Sequence, residues 1–433
     1  MFLKASQLIE KIQNGLYDDE LKKLYATNDI ALQKTRYIDA VKAHIEAYGD
    51  VLSAVFSAPG RTEIGGNHTD HQHGKVLAAA VTMDMIAVVT PTDDSTIDIK
   101  SEGYPNIVVH LTENELEINE NDFGTSTALV RGVAKGILNN GGKVGGFKAS
   151  VFSAVPKGSG VSSSAAYEVL IGTILNKMYN NGEITPVKIA QIGQFAEKDF
   201  FGKPCGLLDQ TTSAVGGFVS IDFINPKSPK VEKIDCNIVE KGFTICIVNA
   251  GGNHANLTPE YAAIPNEMRQ VANFFGKDFL SELDKNTVML NMKELRKKVS
   301  DRAILRALHY FDDDSRAVEE ANALRNNQIY YFLQLIKESG ESSQEQLQNI
   351  YPVCDENERS VALALTITKS MLKDGNGAWR VHGGGFAGTM QAFVKNDMLN
   401  SYCKVMQNIF GEENVHILSI RPIGGYCLGE NSL

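Results

Sequence analysis

The stretch Val155-Pro-Lys-Gly-Ser-Gly-Val-Ser-Ser-Ser-Ala-Ala-Tyr-Glu168 restricts what this chain can fold into more than any other. Gly158 and Gly160 bracket the small Ser159, so the backbone there is free to take positive φ angles and to approach a ligand closely. Ser162, Ser163 and Ser164 then open an amphipathic helix. The first N–H groups of a helix have no partner within it, and together with the helix dipole they favour an anion at that end. The serine hydroxyls suit phosphate oxygens or a magnesium ion. A glycine-serine loop ahead of an ordinary helix cap is the plainer reading of the same residues. No Lys follows the last Gly as a P-loop requires, so any phosphate site here is of another kind.

The rest of the chain must build a scaffold that presents a strand, this loop and a helix in that order. Residues 147–152 read as the strand, and 164–179 and 186–200 as the helices that follow. Residues 1–50 are helical by spacing and form a cap or arm. A strand over 51–57 is expected to break at Ala58-Pro59-Gly60 and give way to a polar loop. Further strands are read at 76–81, 86–91, 97–100 and 108–111, and a helix at 126–140 that stops at Gly141-Gly142. Asp84 interrupts the apolar run between the first two of these.

With 433 residues the chain exceeds what one hydrophobic core usually serves, so two domains are expected, 1–224 and 225–433. In the second, strands at 243–248, near Trp379, at 389–394 and at 415–420 surround a helical middle over 260–374, broken near 275–285 and at Gly340, and a helix at 398–410. That order is the ferredoxin-like, split βαβ arrangement with an enlarged first crossover, so the fold class is α+β in two domains, the first a mixed sheet with helices.

A formal charge of −10 argues against nucleic acid or an anionic membrane surface as partner. The six cysteines include no Cys-x-x-Cys pair, and the N-terminus lacks the apolar core of a signal peptide. A cytoplasmic protein follows as the expectation.

Two further segments concentrate chemistry. Gly60-Arg-Thr-Glu-Ile-Gly-Gly-Asn-His-Thr-Asp-His71 and the nearby His73 combine glycines, charges and imidazoles. One reading is a metal site built on His68, Asp70, His71 and His73. A second is a sugar site, with carboxylate, amide and imidazole groups directed at hydroxyls. A third is a glycine-rich turn with solvated charges. Cys205-Gly-Leu-Leu-Asp-Gln210 places Asp209 downstream of Glu197, which lies on a helix and by itself reads equally as a face charge. The cluster His382-Gly-Gly-Gly-Phe-Ala-Gly388 joins two strands tightly.

Taken in order, these segments resemble the GHMP small-molecule kinases, and Gly60 to Asp70 is similar to the signature of their galactokinase branch. The family pattern Gly-Arg-Val-Asn-Leu-Ile-Gly-Glu-His-Thr-Asp-Tyr aligns on Gly60 to His71, Pro-x-Gly-x-Gly-x-Ser-Ser-Ser on Pro156 to Ser164, and Cys-Gly-x-x-Asp-Gln on Cys205 to Gln210. A final glycine motif aligns on Gly383 to Gly388, with Ala387 in place of one glycine.

The resemblance implies a monomer that takes ATP and a small-molecule sugar as its partners. ATP, with Mg2+, would lie on Gly158, Ser159, Gly160, Ser162, Ser163 and Ser164, with the sugar between the domains. It implies Asp209 as catalytic base, Arg61 as the arginine that stabilises charge, and Ser164 and Glu197 as magnesium ligands. Glu63, Asn67, His68, Asp70, Gly206 and Tyr261 fall at the sugar site. The reaction implied is phosphorylation of the anomeric hydroxyl of a hexose, galactose first, with an N-acetylhexosamine or a non-catalytic sugar-sensing role as alternatives.

The sequence departs from the pattern where Asn67 replaces the family Glu, Glu63 the family Asn and His71 the family Tyr. If Glu63 and Asn67 approach each other, one carboxylate and one amide are kept with their places exchanged, and an amide is expected to face the sugar.

Overall fold

In the computed structural model, residues 2–155, 160–203, 205–252 and 257–430 are described. Gly158 and Ser159 of the glycine-serine loop lie outside them. The chain opens with β1 (Leu3–Lys4) and the helices α1 (Ala5–Gln13), α2 (Asp18–Tyr25) and α3 (Ala31–Tyr48). Two long antiparallel strands follow, β2 (Leu52–Gly65) and β3 (Lys75–Pro91), and these form the spine of a nine-stranded sheet. Next come β4 (Thr96–Ser101), β5 (Ile107–His110), α4 (Ser126–Asn139), β6 (Phe147–Ser153), α5 (Ser163–Tyr179), α6 (Pro186–Phe195), α7 (Leu208–Val215), β7 (Phe218–Asp222) and β8 (Lys230–Ile234). The sheet is mixed because β4 pairs with β6 in parallel while its other pairings are antiparallel.

Helices cover both faces of this sheet. Apolar residues of α4, α5 and α6 pack with Phe56, Val76 and Phe147 in one core. On the opposite face Leu8, Leu21, Tyr37 and Val41 of the first three helices pack on Val55, Ile86 and Val88. The alternation along β2 and β3 supplies both cores from the same strands.

Two sequence expectations are corrected here. The strand expected to end at Ala58-Pro59-Gly60 runs on to Gly65, and the pairing instead shifts register at Pro59/Arg61 and again at Glu63/Gly65. Such bulges accommodate a residue without an N–H and re-aim the side chains that follow, so Arg61 and Glu63 stand on a strand and not in a loop. Likewise 76–81 and 86–91 are one strand. Asp84 does not break it, because Arg421 Nη1 at 2.8 Å, Arg36 Nη2 at 2.7 Å and the Tyr25 hydroxyl at 2.6 Å pair its fully buried carboxylate.

The second half contains β9 (Phe243–Asn249), α8 (Thr258–Phe274), the short α9 (Lys285–Leu290) and α10 (Met292–Leu295), then α11 (Asp301–Arg325), α12 (Ile329–Ser342) and α13 (Ser360–Leu372). After these come β10 (Gly377–Val381), β11 (Thr389–Lys395), α14 (Leu399–Phe410), β12 (Val415–Leu418) and β13 (Tyr426–Cys427). Sheet order β10-β11-β9-β12, all antiparallel, is the ferredoxin-like arrangement. Gly340 does not interrupt the helical middle: it sits inside α12, where a Cβ would come within 2.9 Å of the Trp379 carbonyl, so its absence lets the helix lie against β10. Beyond residue 224, β8 still pairs with β7 in the large sheet, and β13 returns to it beside β2. No described helix is long and apolar enough to cross a membrane.

Candidate active site

Arg61 leaves the bulged end of β2 and meets Asp209 in the first turn of α7. Its Nε lies 2.7 Å from Oδ1 and its Nη2 2.6 Å from Oδ2, a two-bonded fork. The third guanidinium nitrogen, Nη1, donates to the Gly160 carbonyl at 2.5 Å. Backbone contact fixes the same junction, since Arg61 N donates to the Val161 carbonyl at 3.0 Å. A Cβ on Gly60 would sit 2.6 Å from that carbonyl, so the close approach of strand and serine loop requires glycine there. The helix N-terminus favours the Asp209 carboxylate, which keeps about a third of its side chain exposed.

Beyond the described gap, Gly160 and Ser162 both take left-handed φ angles, 74° and 54°, and deliver Ser163 and Ser164 to the start of α5. The Ser164 hydroxyl donates to Glu197 Oε1 at 3.0 Å. Lys203 Nζ reaches the same oxygen at 2.9 Å, and Gln210 Nε2 bonds both Glu197 Oε2 at 2.8 Å and Glu168 Oε2 at 3.0 Å. Burial, with the Glu197 charge next, pushes the Glu168 carboxyl well above the usual range. A hydroxyl beside a single carboxylate is an all-oxygen donor pair, which fits a magnesium ion that keeps water and phosphate oxygens as its other ligands. A cavity of about 810 Å³ adjoins, lined by Ser163, Ser164, Tyr167, Val155 and Asn106 among others. The buried Tyr167 hydroxyl in its wall has no hydrogen-bond partner among the described residues.

On the other side of the Arg61–Asp209 fork lies the loop between β2 and β3. Asp70 approaches Gly206 so closely that a Cβ there would be 2.5 Å from its Oδ2. His68, at φ 61°, places Nε2 3.1 Å from the Gly384 carbonyl, and burial holds its pKa well below the ordinary value. Tyr261 donates its hydroxyl to the Gly385 carbonyl at 3.0 Å and lays its ring on Gly384. His73 turns away and stacks on Phe279 at 3.7 Å, so the four residues weighed as a metal site do not converge, and no group of three metal-binding side chains occurs among the described residues.

Glu63 and Asn67 do meet: Asn67 Nδ2 donates to Glu63 Oε1 at 2.8 Å. Asn67 itself is fully buried. Its second N–H goes to the Gly383 carbonyl at 2.9 Å, and its oxygen accepts from Asn349 at 2.9 Å and Ser343 at 3.4 Å. Every hydrogen-bonding position of this amide is filled within the protein, contrary to the expectation that it faces a sugar. Glu63, by contrast, keeps 15% of its side chain exposed, with Arg380 Nη2 3.3 Å from Oε1. Burial raises its pKa to about 7, against the nearby Arg380 charge.

The structure therefore joins Arg61 to Asp209 and Gly160, Ser164 to Glu197, Asp70 to Gly206, and His68 and Tyr261 to the Gly384–Gly385 turn. Sequence reasoning gave no role to Lys203, Glu168 and Gln210, although Glu168 closes the serine stretch and Gln210 the Cys205–Gln210 segment. Arg380, Asn349 and Ser343 come from distant helices and strands and carry no local signal.

Comparison with known proteins agrees with this architecture. The profile of the galactokinase galactose-binding signature matches residues 42–91, and that of the GHMP kinases N terminal domain matches residues 128–217. Among solved structures, the galactokinase of Lactococcus lactis, complexed with galactose, aligns with a TM-score of 0.74 at 22% identity, over 89% of this chain and 98% of that one. The mevalonate kinase of Methanococcus jannaschii aligns at 0.60 and 18% identity, over 86% and 98%. A mixed α+β fold of the GHMP kinase kind is what these share with the present chain. Residues 42–91 are thus similar to the galactokinase galactose-binding signature and residues 128–217 to the GHMP kinase N-terminal domain, on a fold shared with these solved kinases.

Proposed function

We propose that this protein transfers the γ-phosphoryl group of ATP to the anomeric hydroxyl of a hexose, with galactose the leading acceptor. The observation that carries the reading is the Arg61–Asp209 fork, set between the serine loop and the Asp70–Gly206 contact. A hydroxyl seated there has a carboxylate at hand to take its proton while its oxygen forms the new bond to phosphorus and the bond to ADP breaks. Arg61, held by Asp209 and the Gly160 carbonyl, brings positive charge to the transferring group. Ser164 and Glu197 would hold magnesium, which supplies charge neutralisation on the phosphate oxygens. Lys203, 2.9 Å from Glu197, keeps that carboxylate oriented.

The test is ADP release on a panel of hexoses, with N-acetylhexosamines included because Glu63, and not an amide, borders the cleft. Turnover with galactose above the other sugars supports the full reading. Turnover with another hexose keeps the reaction and replaces the acceptor. Sugar binding without ADP release from any member of the panel overturns the kinase assignment.

A further inference from the structure

We infer that two consecutive aspartates of α11, Asp313 and Asp314, clamp the two ends of the cleft loop and so set how tightly the sugar is held, an inference that rests on the sugar-kinase reading above. Neither residue belongs to the motifs that bring the chain into its family.

The loop leaves β2 at Gly65 and re-enters the sheet at Lys75. At its first end, Asp313 Oδ2 accepts from Asn67 N at 2.7 Å, while His309, one turn earlier on the same helix, places Nε2 3.0 Å from the Asn67 carbonyl. Since a carbonyl only accepts, Nε2 carries a proton, and Nδ1 lies 2.8 Å from the Ser342 hydroxyl oxygen. At the other end, Asp314 Oδ1 accepts from Lys75 N at 2.6 Å and Oδ2 from Lys75 Nζ at 3.0 Å. Each aspartate thus takes one backbone N–H at one hinge of the loop. His68 and Asp70 lie between the two hinges and face the cleft.

Asp312, Asp313 and Asp314 form a run of three acids on α11. In the structure each has a different partner: Asp312 pairs with Lys285, Asp313 also accepts from Arg316, and Asp314 pairs with Lys75. Asp313 is fully buried. Burial alone would raise its pKa, yet the neighbouring His309, Arg380 and Arg316 hold it below the usual value. Such charge-assisted bonds to backbone N–H groups are about twice as strong as neutral ones. Space at the second hinge is as tight, since a Cβ on Gly74 would come within 2.8 Å of Asp314 Oδ1. Asp313 and Asp314 are accordingly positioning residues, which touch no sugar and act through the loop.

Two readouts test the clamp in the full-length protein. The first is hydrogen exchange of the peptide spanning residues 66–75 in D314A and D313N, which needs no activity. Faster exchange there, with α5 unchanged, supports the clamp. Exchange equal to wild type in D314A overturns it, and D314A, altered at a partly exposed site, serves if D313N fails to fold. The second readout is the split of kinetic constants: the sugar KM should rise roughly tenfold while the ATP KM stays within about twofold. A parallel rise in both constants, or neither, overturns the positioning role even when exchange has quickened. Should the wild type phosphorylate no hexose, the kinase reading fails by itself and exchange alone decides the clamp.

Discussion

Arg61 and Asp209, 148 residues apart in sequence, form a two-bonded fork with both contacts at or below 2.7 Å. The bulge at Pro59/Arg61 on one side and the N-terminus of α7 on the other bring them together. Both carboxylate oxygens accept from the guanidinium, so each side chain fixes the orientation of the other.

Asp209→Asn keeps the size of the side chain, removes the proton acceptor and leaves one oxygen to accept from Arg61. Turnover should fall by roughly 10² to 10⁴ with nucleotide affinity little altered, as steady-state kinetics and nucleotide titration would read. Near-normal kcat would mean that Asp209 only anchors Arg61.

For the oxygen pair at the start of α5, Glu197→Gln should shift the magnesium dependence of activity to higher concentration, with excess magnesium restoring part of the rate. The Ser164 and Gln210 contacts both involve Glu197, so folding is checked by circular dichroism alongside. An unchanged magnesium titration would reduce Glu197 to a structural partner of Lys203.

The direct bond between Glu63 and Asn67 predicts coupling. In a double-mutant cycle on kcat/KM with Glu63→Asn and Asn67→Glu, the double variant should depart from additivity by about 0.5 kcal/mol or more. The N67E single variant should be the most impaired, because it sets a second carboxylate against Glu63 and against the Gly383 carbonyl. Additive losses with an unchanged ranking of sugars would make the exchange coincidental.

His44 offers a test of pH dependence away from the site. Fully buried, it lies 3.0 Å from the Ser150 hydroxyl and 2.9 Å from the Thr90 hydroxyl, and burial, aided by Lys100, pushes its pKa down to about 4. Between that value and the ordinary 6.5 the unfolded chain holds a proton that the folded chain does not. Its contribution is therefore complete above the upper value and is lost as pH falls towards the lower. The stability advantage of wild type over H44Q should shrink by on the order of 2 kcal/mol from pH ~7.5 to pH ~4.5 in urea unfolding. A constant advantage would show that the imidazole titrates normally.

What the sequence determined by itself is the class of fold and the motifs whose residues the fold brings into contact. Helical spacing over 164–179, the serines before it and the strand order of the second half are local signals, and local signals survive in one dimension. The cleft-facing Asp70 and the base candidate Asp209 were legible because glycines mark where backbone must approach closely. Tertiary structure decided the rest. Pro59 and Gly60 read as a strand break, but pairing with β3 absorbs them as a bulge, because ladder bonds on both sides outweigh one missing N–H. Asn67 reads as a ligand residue, yet Asn349 and Ser343, both more than 270 positions away, consume its amide. The aspartates of α11 belong to no motif, and their partners Asn67 and Lys75 reach them only when the loop between β2 and β3 is folded against the helix. A side chain's chemistry is written in the sequence, but which of its hydrogen bonds remain free for a ligand depends on partners that only the folded chain brings within reach.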